Sequence, residues 1–168
     1  THNRDSVKTV RGNHDENLRS TFSKISPENL EFLSKLEDRL NELDVLAFHS
    51  SLRDNGKRLI TENDIKKEAE FLENRYKHCN YFLFGHSHQQ KVFSHDQLTK
   101  KVKEVPGKKI KLEENKKYFI NPGGIGLYYG MPQTLAYLDT DKKEVKFYTL
   151  EEWIERHMKL LALLYFEE

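Results

Sequence analysis

The chain has 168 residues, 28 Lys plus Arg against 27 Asp plus Glu, and a net charge of +1. That length suits a single domain over 1–168, and the near-neutral balance offers no global field toward nucleic acid or membrane. The one cysteine, Cys79, excludes an internal disulfide and fits a reducing, cytoplasmic compartment, and no apolar run approaches the ~18 residues of a membrane span.

Val7, Thr9 and Val10 predict a short strand over about 6–10 that runs straight into Gly12-Asn13-His14-Asp15. Ser26-Pro27 is a helix start, with Ser as N-cap and Pro at the first helical position. Leu30, Leu33, Leu36 and Leu40 then fall on one helical face. Asp44 to Phe48 is a short apolar run that predicts a buried strand and delivers His49 at its end. Residues 50–60 read as a loop turning at Asp54-Asn55-Gly56. Thr61 with Asp64 forms a capping box, Asp standing where Glu is usual. Ile65, Ala69, Leu72 and Tyr76 carry that helix to about Lys77. Tyr81-Phe82-Leu83-Phe84 predicts another buried strand, ending in Gly85-His86-Ser87-His88.

Residues 100–117 hold eight Lys and three Glu, split by Pro106-Gly107. This predicts two strands around a turn, an exposed Lys-rich hairpin. Tyr118-Phe119-Ile120 enters Asn121-Pro122-Gly123-Gly124, and residues 134–138 and 145–149 flank a plain turn. Trp153, Ile154, His157, Leu160, Leu161 and Leu164 close the chain as an amphipathic helix.

Strand and helix alternate through the first half, and each strand ends at a polar cluster. That pattern argues for an α/β fold with its site at the strand C-terminal ends. A lone histidine in such a place reads as a solvated loop residue; several converging on one rim can take a divalent metal, with Asn adding a hard oxygen. His86 and His88 project the same way if the backbone stays extended. A turn after Gly85 aims them instead at two neighbouring ions.

The ordered set Gly12-Asn13-His14-Asp15, His49, Gly85-His86-Ser87-His88 and Asn121-Pro122-Gly123 resembles the calcineurin-like metallophosphoesterase superfamily. Within it, the chain is similar to the small bacterial phosphodiesterases and diadenosine-polyphosphate hydrolases. The resemblance runs from about residue 6 to the end, the Lys-rich segment excepted. It implies the C-terminal part of an αββα sandwich. It also implies hydrolysis of a phosphodiester, phosphomonoester or dinucleoside polyphosphate by water activated between two divalent ions, Mn first, with Fe, Zn or Ni as alternatives. Asn13 resembles the amide-oxygen ligand of the second metal, and His49 and His86 look like its further ligands. His88 looks like a ligand of the first metal. His14 resembles the histidine that faces the phosphate and protonates the leaving group. Asn121-Pro122-Gly123 resembles the loop that supports the site from beneath, and Asp15 supports local geometry. Ser50 stands where a Gly often follows the third-segment histidine.

The family pattern starts earlier, with Asp-x-His and Gly-Asp motifs that supply carboxylates to both ions. Here no Asp has His two positions later and no Gly precedes Asp. The chain therefore reads as the C-terminal part of a longer enzyme, short of two βαβ-like passages of about 30 residues each. The competing expectation is a catalytically inactive module that acts in protein interaction. A truncated sheet would expose a strand edge, which makes a homo-oligomer plausible. The Lys-rich hairpin is read as a solvated face rather than a substrate-steering lid. It has no interleaved aromatic for base stacking, so nucleic acid is not an expected partner.

Overall fold

The computed structural model describes residues 8–16, 25–126 and 130–165. Its helices are α1 (Asn13–Glu16), α2 (Pro27–Ser34), α3 (Glu62–Leu72) and α4 (Leu150–Tyr165). Its strands are β1 (Arg39–Glu42), β2 (Val45–Phe48), β3 (Tyr81–Leu83), β4 (Gln90–Asp96), β5 (Val102–Glu104), β6 (Lys109–Lys111), β7 (Lys116–Pro122), β8 (Thr134–Asp139) and β9 (Glu144–Thr149). The larger sheet has the order β1-β2-β3-β7-β4-β5, and the smaller β6-β9-β8. β2, β3 and β7 are parallel neighbours, while β1, β4 and β5 join antiparallel.

The central strands are apolar on both faces because both faces are covered. Leu46, Phe82, Phe93 and Phe119 point to one side and meet Ile65, Ala69 and Leu72 of α3. The Phe82 and Phe119 rings stack there with centroids 4.6 Å apart. Tyr81, Val92, Tyr118 and Ile120 point to the other side and meet Ile110, Leu112, Val145 and Phe147 of the smaller sheet. Helix, sheet and sheet form successive layers, the α/β sandwich expected. Beyond β9, α4 begins with the Trp153 ring edge-on to Tyr148.

Several expectations need correction. Of the strand expected over 6–10, the part before Lys8 lies outside the described residues, and Val10 makes only an isolated bridge to Glu37. The helix after Ser26 ends at Ser34 instead of reaching Leu40. Lys35 N–H and Leu36 N–H bond back to Phe32 O and Leu33 O, and the Arg11 guanidinium takes the Leu36 carbonyl. Leu40 is then free to pair with Ala47 across the β1–β2 hairpin. None of α2 is buried, so its leucine stripe never found the core that would have extended it. The side chains of Leu160, Leu161 and Leu164 lie outside the described residues.

The Lys-rich stretch is not a hairpin. β5 pairs with β4 and β6 with β9, so the chain crosses from one sheet to the other at Pro106-Gly107. Val102 packs into the core beneath α3, while Val105, Ile110 and Leu112 pack between the sheets, and these contacts anchor the segment. Lys100, Lys108, Lys109, Lys111, Lys116 and Lys117 are engaged in ion pairs or hydrogen bonds. Lys109 and Lys111 converge with Lys146 on Glu144, and Lys117 is buried with Nζ donating to Lys77 O at 3.0 Å.

The capping box is present. Asp64 accepts from the Thr61 N–H (3.0 Å) and hydroxyl (2.7 Å), and Thr61 Oγ1 accepts from Asp64 N–H. Burial works to raise the Asp64 pKa, but hydrogen bonds from Thr61, Lys57 and Ile60 outweigh it and hold it at about 2, below the ordinary 3.8. The stabilisation is therefore fully present above pH 3.8 and is lost as pH falls through about 2. In urea unfolding, the wild type should exceed Asp64→Ala in stability near neutral pH, and the gap should close as pH approaches 2.

Candidate metal centre

Parallel β2, β3 and β7 stop at one level, so whatever follows each is delivered to a common rim. Gly85 N–H donates to His49 O and Phe84 N–H to Ile120 O, both at 3.0 Å, which ties the three strand ends together. Asn121 then crosses beneath. Its side chain is completely buried, and Nδ2 donates to Gly85 O (3.1 Å) and Ser87 Oγ (2.9 Å) while Oδ1 accepts from Gly123 N–H (2.9 Å). Gly123 holds φ +87°, and a Cβ there would stand 1.9 Å from Thr134 Oγ1, so only glycine fits.

The loop fixed in this way settles the choice left open by spacing. His86 and His88 adopt φ of 65° and 57°, left-handed values uncommon for residues with a side chain. The backbone is therefore bent, and the two rings part. His86 turns toward His49, with ring centroids 5.0 Å apart. His88 turns toward Gly124, where an added Cβ would meet Nδ1 at 3.3 Å.

Asn13, His49 and His86 come together. Asn13 Oδ1 is 2.8 Å from His49 Nε2 and 3.2 Å from His86 Nδ1, and the two nitrogens are 3.2 Å apart. Around an ion with ligand distances of about 2.1 Å, donors at right angles stand about 3.0 Å apart. The triangle therefore has the dimensions of one face of a coordination sphere. His86 Nε2 faces Gly56 O at 3.0 Å. A neutral imidazole donates to only one of Gly56 O and Asn13 Oδ1 and turns a lone pair on the other. Burial lowers the pKa of His86, so an imidazolium serving both is disfavoured. With the His86 proton on Nε2 toward Gly56 O and the His49 proton on Nδ1, three lone pairs point at one place, and a cation fits there. Burial, and after it the neighbouring His86, likewise lowers the pKa of His49.

No group of three or more His, Cys, Asp or Glu that could hold a metal is found among the described residues. The third donor is an amide oxygen, and the set is uncharged. Among the described residues, His88 is the remaining histidine of the rim, and one histidine does not make a site for a second ion. His14 sits exposed beside Asn13 on α1. Asp15 shapes that turn by accepting from Gly12 N–H at 2.7 Å. A cleft of about 390 Å³ opens beside the triangle, lined by Arg11, Asn13, Arg39, His49, Leu52 and Gly56. Arg11, Arg39 and the Gly56 carbonyl were not expected from the sequence. Arg11 and Arg39 carried no motif, and a backbone carbonyl leaves no residue-type signal.

Residues 1–143 match the family described as the calcineurin-like phosphoesterase superfamily domain. Among solved structures, a metallophosphoesterase from Sphaerobacter thermophilus is similar at 22% identity and a TM-score of 0.67, over 88% of this chain and 67% of that one. A hypothetical protein from Pyrococcus horikoshii OT3 is similar at 16% identity and a TM-score of 0.58, over 94% of this chain and 69% of that one. At these identities the likeness is one of fold. No curated protein matches the chain.

Asn121→Ala strands the Gly123 N–H, the Gly85 carbonyl and the Ser87 hydroxyl, and it should cost at least about 2 kcal/mol in chemical denaturation. Asn121→Asp keeps the size but loses the donor to Gly85 O, so it should also destabilise, and both should shift the imidazole NMR signals of His86 and His88.

Proposed function

We propose that this chain, which belongs to the calcineurin-like phosphoesterase superfamily, carries the second-metal site and the acid of a dinuclear phosphoesterase. Metal-dependent phosphate-ester hydrolysis is the chemistry of that family. The observation that carries the reading is the triangle of Asn13 Oδ1, His49 Nε2 and His86 Nδ1, whose edges of 2.8 to 3.2 Å suit one divalent ion. One amide oxygen and two imidazoles suit Mn, and also accept Fe, Zn or Ni. His88 is assigned to the other ion, whose remaining ligands would have to be carboxylates. When bound, such ions supply a Lewis acid at the phosphoryl oxygens and water of lowered pKa.

The protein's own groups do the rest. The uncharged donors leave an ion's positive charge available to an anionic ester. Arg11 and Arg39 line the adjoining cleft together with Asp38, which pairs with Arg11 at 3.5 Å, so among the described lining residues Arg39 is the cation left to favour the same sign of ligand. His14, exposed at the mouth, would hold a proton for the leaving oxygen, a role worth ~10²–10⁴-fold. The substrates are phosphodiesters, phosphomonoesters or dinucleoside polyphosphates, and the compartment is the cytoplasm. No described helix is long and apolar enough to cross a membrane.

The uncharged donor set favours a second reading, a metal-binding module that interacts with a partner and does no chemistry. Two measurements separate them: Mn²⁺ titration calorimetry, and hydrolysis of an aryl phosphodiester by a chain extended with the Asp-x-His and Gly-Asp strands. His49→Ala and His86→Ala should each weaken Mn²⁺ binding by at least ~10-fold. His14→Ala should leave Mn²⁺ affinity unchanged and slow turnover by ~10²–10⁴-fold. A fully active His14→Ala enzyme would refute the acid assignment. An extended chain that binds Mn²⁺ and hydrolyses nothing would leave only the module.

A further inference from the structure

Glu68 is completely buried, on the stripe of α3 that also carries Ile65, Ala69 and Leu72. A carboxyl removed from water costs several kcal/mol unless its oxygens are engaged. Both are. Oε2 accepts the Ser51 hydroxyl at 2.5 Å and Oε1 accepts Leu52 N–H at 2.7 Å. Ser51 Oγ also accepts Asp54 N–H at 3.0 Å, and Ser51 N–H donates to Lys57 O at 3.0 Å. One turn earlier on the helix, Asp64 takes the other end of the same loop, accepting from Lys57 Nζ (3.1 Å) and Thr61 N–H (3.0 Å). Two carboxyls of one helix therefore clamp the loop at both ends. Between them is Gly56, at φ +79°, whose carbonyl faces His86 Nε2.

We propose that Glu68 is a positioning residue for the metal centre: by gripping Ser51 and Leu52 it sets the loop that holds the Gly56 carbonyl against His86 Nε2, and so keeps the His86 Nδ1 lone pair aimed at Asn13 and His49. The inference rests on reading His86 as a metal donor. Glu68 itself touches neither ion nor substrate. The physical reason is that the partner of one ring nitrogen decides which tautomer an imidazole adopts. Without the carbonyl, the proton can sit on Nδ1 and point into the site. Outer partners of metal-bound histidines are typically worth ~10–100-fold in metal affinity.

The test uses long-range proton–nitrogen NMR of ¹⁵N-histidine-labelled, metal-free protein to read the His86 tautomer, together with Zn²⁺ titration calorimetry. The wild type should show His86 protonated at Nε2. Glu68→Ala should mix the tautomers and weaken Zn²⁺ binding by ~10–100-fold. Glu68→Gln still accepts Leu52 N–H and can donate to Ser51 Oγ, so it should restore most of both. A folded Glu68→Ala protein with a single Nε2–H tautomer and wild-type affinity overturns the proposal. If Glu68→Ala does not fold, Ser51→Ala removes one bond of the grip and leaves the helix packing, and the same two readouts decide. A wild type that binds no Zn²⁺, with tautomers that mix in Ser51→Ala, sinks the metal reading and upholds the positioning role. Zn²⁺ binding with tautomers indifferent to Glu68 and Ser51 does the reverse.

Discussion

The buried amide of Asn121 is the constraint on which the site depends. It is the penultimate residue of β7, and its three hydrogen bonds hold the loop after β3 and the turn at Gly123. A polar side chain with no exposed surface cannot exchange those partners for water, so breaking them costs the full desolvation of each group. That cost holds His86 and His88 in left-handed conformations worth about 1–3 kcal/mol of strain each. The strain has a geometric result. It separates two histidines that an extended chain would have aimed together, and it brings His86 Nδ1 to within 3.2 Å of both Asn13 Oδ1 and His49 Nε2.

The two cores serve this arrangement differently. The core between α3 and the larger sheet is dominated by aromatic and branched side chains that fix the helix against that sheet. The same helix then reaches over the edge with Asp64 and Glu68 to hold the loop that faces the candidate metal centre. The core between the sheets locks β3 and β7 at one level, from which the donors project. The outcome is a site on rigid strand ends with one loop wall. Its donors are neutral, so an ion held there keeps its charge for an anionic ligand.

Much of this was legible in the sequence, and the failures have physical causes. Continuous apolar runs announced β2 and β3, and with them the placement of His49 and His86. The capping box announced α3. Leu36 and Leu40 kept helical spacing, but pairing with β2 outweighed the local preference. β4 went unrecognised because Ser94 and His95 interrupt its apolar pattern, yet both are buried. The crossing at Pro106-Gly107 resembles a hairpin turn locally, and only the destinations of Val102 and Ile110 distinguish the two. Glu68 did leave a signal, a charge on the buried stripe of an amphipathic helix. The positive φ of His86 and His88 had none, since it is imposed by Asn121 from 30 or more residues away along the chain.

The central claim is that Asn13, His49 and His86 hold one divalent ion in common. Anomalous diffraction from crystals soaked in Mn²⁺, collected at an energy where manganese scatters anomalously, tests it directly. The account predicts a peak about 2.1 Å from Asn13 Oδ1, His49 Nε2 and His86 Nδ1 together. A map with no peak at that triangle, or with the ion held elsewhere while the three donors remain bonded to one another, would contradict it.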